Sequence, residues 1–307
     1  MDQCTYHYSC FPLGMSEYAI SGNLGENVNV RSSGWRKIEK WRSDQDSGHF
    51  HSGPEKFIDQ GSAFHVERTG IYSVYITVTV SGAQQGLVKL GVFADEMSLA
   101  EPPLLESCFV DYEEEKSLSV FSSLFLDRRD KISVYVYSEI DPEWTIIGKS
   151  KSTFSMQFLG FSGYIPGFST RLPKDLKPLK NSKNILQEWT SNEGKGLYRS
   201  MTGFSDGSGI YSVPADGIYQ SSFSLQIKAT VETKIAIRVI LNNAGSVSEF
   251  STDLGIQTIT ISSSTSLKLS KGDSLHIETS GKVDTYTIES GSSFSVIFLS
   301  MDTKGKM

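Results

Sequence analysis

The side chains of this chain that could do chemistry are few and scattered. Five histidines occur, and only His49 and His51 are close in sequence; His7, His65 and His276 stand apart. On a strand an i, i+2 pair shares one face, so these two imidazoles amount to half a zinc site at most. The acidic run Asp111, Glu113, Glu114, Glu115 has oxygen enough for calcium but lacks the glycine-punctuated spacing of a dedicated loop, and reads as a solvated loop. The glycine pairs Gly194/Gly196 and Gly207/Gly209 lack the strand-to-helix setting of a phosphate loop. No serine or cysteine stands in a nucleophile-elbow pattern beside a candidate base. No metal or cofactor is expected, and the chain does not read as an enzyme.

Composition narrows the partners. The net charge is −6 with acids and bases mixed along the chain, so there is no basic face to displace counterions from a nucleic acid. No apolar run approaches the roughly 20 residues of a membrane helix, so no membrane insertion is expected. The N-terminal MDQCTYHYSCF has no basic start followed by an apolar block, so no signal peptide is visible; Met1 is read as either a true start or the edge of a mature or excised fragment. There are three cysteines, Cys4, Cys10 and Cys108. At least one is unpaired within the chain, and a Cys4–Cys10 loop and a long-range bridge to Cys108 are both allowed.

At the level of whole elements the chain repeats itself. Trp41, Gly70, Asp130 and Phe154 recur as Trp189, Gly217, Asp273 and Phe294, at offsets of 148, 147, 143 and 140. A period near 145 fits a duplicated domain rather than a solenoid. After Gly70 the residues Tyr72, Val74, Ile76, Val78 and Val80 alternate with Ser73, Tyr75, Thr77 and Thr79. That is the period of a half-buried strand. After Gly217 the residues Tyr219, Phe223, Leu225 and Ile227 take the buried face, and Gln220, Ser222, Ser224, Gln226 and Lys228 the other. Further strands are expected at 88–94, 117–126, 131–138, 152–160, 234–241, 256–269, 273–280 and 292–300, with helical periodicity nearly absent. Serine-rich 242–253 and 262–266 read as display loops. Residues 162–184 hold Pro166, Pro173 and Pro178 and five basic residues against Asp175 alone; they read as a semi-extended linker.

These marks carry a resemblance. The Gly-Ile-Tyr start of each core strand, the Leu-x-Leu run ending at Asp130 or Asp273, and the closing Phe154 and Phe294 strands resemble the jelly-roll domains of the C1q and tumour necrosis factor superfamily. The resemblance spans 35–161 and 185–301. It implies an all-β chain of two tandem antiparallel jelly-roll sandwiches, with 1–34 an N-terminal extension, 35–161 the first domain, 162–184 the linker and 185–307 the second. Trp41, Gly70, Tyr72, Asp130, Phe154 and Trp189, Gly217, Tyr219, Asp273, Phe294 are then framework residues. Arg129 stands where the pattern has the turn glycine, so that turn either avoids positive φ or bears strain. The resemblance further implies a secreted or extracellular binding protein, trimeric, presenting loops to a protein receptor or surface target. A structural or adhesive module and a carbohydrate-binding jelly roll are the alternatives. If a three-fold contact forms, Tyr75 with Thr77 on the non-core face of the first core strand offers the aromatic surface that interfaces favour; the second copy offers only polar residues there.

Overall fold

The computed structural model describes residues 19–31, 33–43, 51–52, 56–58, 61–82, 84–94, 103–112, 115–139, 144–161, 165–179, 183–191, 196–200 and 203–301. These residues form no α-helix. They make an all-β, jelly-roll-like array of four antiparallel sheets.

Alternation explains the longest strands. On Gly70–Ser81 the even side chains Tyr72, Val74, Ile76, Val78 and Val80 are buried. Each such side chain withdrawn from water stabilises the fold by about 1.5–3 kcal/mol. Gly70–Ser81 runs between Lys149–Gly160 and Glu115–Leu126, with Ala19–Leu24 beyond Lys149–Gly160. The third sheet has the same order. Gly217–Ala229 runs between Ser293–Ser300 and Thr258–Leu269, with Gly167–Arg171 beyond Ser293–Ser300. The second sheet starts at the edge strand Leu105–Tyr112 and continues through Gln84–Ala94 to Lys131–Ser138. The fourth starts at Gly245–Leu254 and continues through Thr233–Leu241 to Ser274–Ser280. First and second sheets enclose one apolar cluster, drawn from Ile20 through Phe158. Third and fourth enclose another, from Phe168 through Val296.

Three sequence-based boundaries need correction. The expected linker 162–184 contains the strand Gly167–Arg171, laddered to Ser293–Ser300 and part of the third sheet. Pro166 and Pro173 flank this strand without interrupting it, and the Pro166 carbonyl accepts the Phe298 amide at 2.9 Å. Farther on, Leu176 exchanges backbone bonds with Ile288 at 2.8 and 2.9 Å, so a chain rich in proline and lysine is tied down by its backbone. The expected extension 1–34 contains Ala19–Leu24, which pairs with Lys149–Gly160 and buries Ile20 and Leu24. The second set of strands therefore begins near 167 rather than at 185. The expected display loops 242–253 and 262–266 lie mostly within the strands Gly245–Leu254 and Thr258–Leu269.

Candidate functional site

The framework residues occupy matching places in the two halves. Trp41 and Trp189 are buried, each with its ring centroid 6.0 Å from that of Phe154 or Phe294 respectively. Tyr72 and Tyr219 each lie edge-on to a phenylalanine, Phe158 or Phe298, at 5.2 Å. Their hydroxyls donate to backbone carbonyls four residues earlier, Arg68 at 2.9 Å and Ala215 at 2.8 Å. Gly70 and Gly217 leave room for those same phenylalanines: a Cβ would come within 2.5 Å of Phe158 and 2.4 Å of Phe298. Asp130 accepts the Asp127 amide and Asp273 the Ser270 amide, both at 2.8 Å, closing two equivalent turns.

The two halves meet along an unlike pair of surfaces. The first half contributes an edge, the strands Leu105–Tyr112 and Glu115–Leu126. The second contributes the non-core face of its third sheet, on Gly217–Ala229, Thr258–Leu269 and Ser293–Ser300. The Cys108 amide donates to Thr260 Oγ1 at 2.7 Å, and the Phe125 amide to the Gly196 carbonyl at 3.2 Å. Arg171 Nη2 donates to the Leu104 carbonyl at 2.6 Å. Ile71 from the first half and Ile165, Tyr198 and Ile297 from beyond it form a small apolar cluster at the same seam.

Burial sets the electrostatics of this seam. It pushes the Cys108 thiol up to about 12 and holds the Arg171 guanidinium below its ordinary value. Burial also raises the Glu289 carboxyl. For Lys89 burial acts to lower the pKa, but the Glu106 carboxylate, 2.7 Å away, outweighs it and the ammonium ends above its usual value. Cys108 is a free thiol. Cys4 and Cys10 lie outside the described residues.

Tyr75 is 43% exposed and its ring centroid lies 6.2 Å from that of Phe121 on the neighbouring strand. Thr77 Oγ1 donates to the Tyr75 hydroxyl at 3.0 Å. The face of the second half presents small hydroxyls instead. Ser222 and Ser295 bond each other at 2.6 Å, and Ser262 donates to Ser224 at 2.9 Å. Sequence reasoning missed this serine face as a contact surface, and with it Arg171, Gly196 and Thr260. The signal was there as serine at successive non-core positions of paired strands, small side chains that let a neighbour approach the sheet closely.

The chemistry-bearing residues do not converge. His65 Nδ1 lies 3.0 Å from Glu67, and His276 is buried with its Nε2 3.5 Å from Glu278. His7 and His49 lie outside the described residues, as do Glu113 and Glu114 of the acidic run. Among the described residues no three His, Cys, Asp or Glu side chains group to hold a metal. A cleft of about 340 Å³ is lined by Val28, Val30, Arg31, Arg36, Lys37 and Val136 among others, with no carboxylate, histidine, hydroxyl or thiol among the described side chains that line it.

Residues 194–299 match the C1q domain family. No curated protein matches the chain. Among solved structures it is similar to the Eiger TNF from S. frugiperda, at 17% identity over 47% of this chain and 93% of that one, with a TM-score of 0.35.

Proposed function

We propose that residues 19–161 and 165–301 are two tandem C1q/TNF-like jelly-roll units, and that the protein is a non-enzymatic recognition module. It acts outside the cell as a homo-oligomer of three chains and presents loops to a protein receptor or surface target. The observation that carries this reading is the C1q family match over 194–299, supported by the same strand order in the half that precedes it. Such scaffolds place recognition on loops held by rigid sheets.

One loop cluster suits that role. Asn242 and Asn243 take left-handed backbone, φ 53° and 54°, in the tight turn before Gly245–Leu254. Asn242 Nδ2 donates to Asp273 Oδ1 at 2.8 Å, and the Lys271 amide to Asp216 Oδ1 at 2.7 Å. Three loops are thus fastened together at one end of the second half before any partner arrives, which lowers the ordering cost of binding.

The test is immobilised full-length chain screened against extracellular receptor ectodomains and glycans. Saturable binding that is lost on combining the exposed-site changes Asn243→Arg and Lys271→Glu is the expected result. Saturable binding that survives them moves the site elsewhere, and the absence of any saturable partner favours a structural spacer.

A further inference from the structure

The cleft of the first half lies where the chain crosses between sheets. Val28–Val30 pairs with Trp144–Ile147 in the first sheet, and Gly34–Lys37 pairs with Lys131–Ser138 in the second. Its apolar lining, Val28, Val30, Val136 and Ile146, belongs to the core: the last three are buried and Val28 packs against the same cluster. Core packing therefore fixes this surface before any ligand arrives. Arg31, Arg36 and Lys37 also line the cleft. Elsewhere Lys40, Lys89, Lys151 and Lys174 each sit against a carboxylate. Among the described residues the side chains of Arg31, Arg36 and Lys37 have neither an ion pair nor a hydrogen bond. Three neighbouring cations without an acid repel one another, and an anion from outside relieves that repulsion.

The second half keeps most of the apolar lining and not the cations. Val80 and Ile227 stand ten residues after the equivalent Gly70 and Gly217, and they pair with Ile146 and Ile288. Val28 pairs with Ile146 as Leu176 bridges to Ile288. Arg36 pairs with Val136 as Asn184 pairs with Thr279. From Val28 to Leu176, from Arg36 to Asn184 and from Trp41 to Trp189 the offset is 148. Arg31, Arg36 and Lys37 therefore correspond to Leu179, Asn184 and Ile185. One half folds in the same strand order with no cation at these three places, so the framework does not require them.

We propose that this cleft binds a small organic phosphate, its dianionic head held by Arg31, Arg36 and Lys37 and its apolar group seated on Val28, Val30, Val136 and Ile146. Charge argues for the head. Three cations with no acid among them match a dianion better than a single carboxylate, and guanidinium forks take phosphate oxygens in pairs. The lining argues for the apolar group, because an inorganic ion would leave it uncovered. A volume of about 340 Å³ sits at the lower end of small-ligand sites, roughly 300–1,000 Å³. It admits a head and one short apolar group, and no folded partner. The same head occurs on soluble esters and on a lipid such as phosphatidic acid. The site depends neither on a receptor nor on the number of chains that associate.

Calorimetric titration of the full-length chain with phenyl phosphate tests this at low salt and about pH 7.5, where the ester is a dianion. One saturable site per chain is expected, at least about fivefold tighter than for inorganic phosphate because the ring leaves water. Arg31 and Arg36 are exposed, so the combined change Arg31→Gln and Arg36→Gln leaves the fold intact, which an unchanged urea midpoint checks. It is expected to weaken binding at least about tenfold, the usual effect of losing charge-assisted hydrogen bonds. Lys177→Gln removes an exposed cation at the place that corresponds to Asn29 and is expected to change nothing. Vesicles containing phosphatidic acid separate the sources. Association that phenyl phosphate competes away assigns a lipid head, and phenyl phosphate binding without vesicle association assigns a soluble ester. No saturable binding of either probe, affinity no better than that of inorganic phosphate, or binding that survives the double change would overturn the proposal.

Discussion

Arg129 and Gly272 hold the same place in two equivalent turns, and both have left-handed backbone, φ 84° and 92°. Each donates its amide to a valine carbonyl, Val66 at 2.7 Å and Val213 at 2.8 Å. The turn geometry is thus kept when the glycine is not, and the first half bears the strain that a side chain brings to this region, of order 1–2 kcal/mol. Nothing lies within 4 Å of a Cβ on Gly272, so Gly272→Ala isolates the backbone cost. Urea unfolding of that variant is expected to show a loss of about 1–2 kcal/mol. Arg129→Gly is expected to range from neutral to about 1 kcal/mol stabilising, because relief of strain is opposed by a more flexible unfolded chain. A loss above about 1 kcal/mol in Arg129→Gly would mean that the arginine side chain itself holds the turn.

Tyr219 is fully buried against Phe298 with its hydroxyl bonded to Ala215. Tyr219→Ala should destabilise the second half by about 3–5 kcal/mol, the usual cost of truncating an aromatic in a core. Tyr219→Phe keeps the ring and removes one hydrogen bond, so about 0.5–1.5 kcal/mol is expected. Chemical denaturation separates the two, and equal losses would contradict the ring-packing account.

What could be read from residues was the strands with a clear period of two. Lys131–Ser138 coincides with its expected bounds, and the burial of Tyr72 through Val80 follows their alternation. Less could be read where backbone rather than side chains does the holding. Gly167–Arg171 is flanked by prolines and followed by lysines, the composition of a tether, and its ladder partner lies over 120 residues away in the chain. The seam was hidden for a different reason. Ser222, Ser224 and Gln226 look solvent-facing by polarity, yet they are buried because the first half covers them. The Ser222 and Ser224 hydroxyls bond Ser295 and Ser262 on the neighbouring strands, which permits their burial without a charge or an aromatic to announce it.

Gly196 is expected to control the seam. Its φ is 81°, and a Cβ there would lie 3.1 Å from Leu124 Cδ2 and 3.2 Å from Leu104 Cδ2 across the junction. Gly196→Ala should therefore loosen the contact, and Cys108 reports it. At pH 8.5 an ordinary thiol is about half ionised, whereas burial keeps Cys108, with its pKa about 12, protonated. In a Cys4→Ser, Cys10→Ser background, disulfide-reagent labelling at pH 8.5 should be slow and should accelerate at least several-fold with Gly196→Ala. Rapid labelling of the parent chain would mean that the seam is open in solution.

The two-unit reading is tested most directly by expressing 19–161 and 165–301 as separate fragments and then mixing them. Each should unfold cooperatively with an all-β circular dichroism spectrum, since each encloses its own apolar cluster. The mixture should form a one-to-one complex in which Cys108 regains its protection. Fragments that stay unfolded alone and together would contradict the account, because the four sheets would then be one cooperative body rather than two equivalent units meeting face to edge.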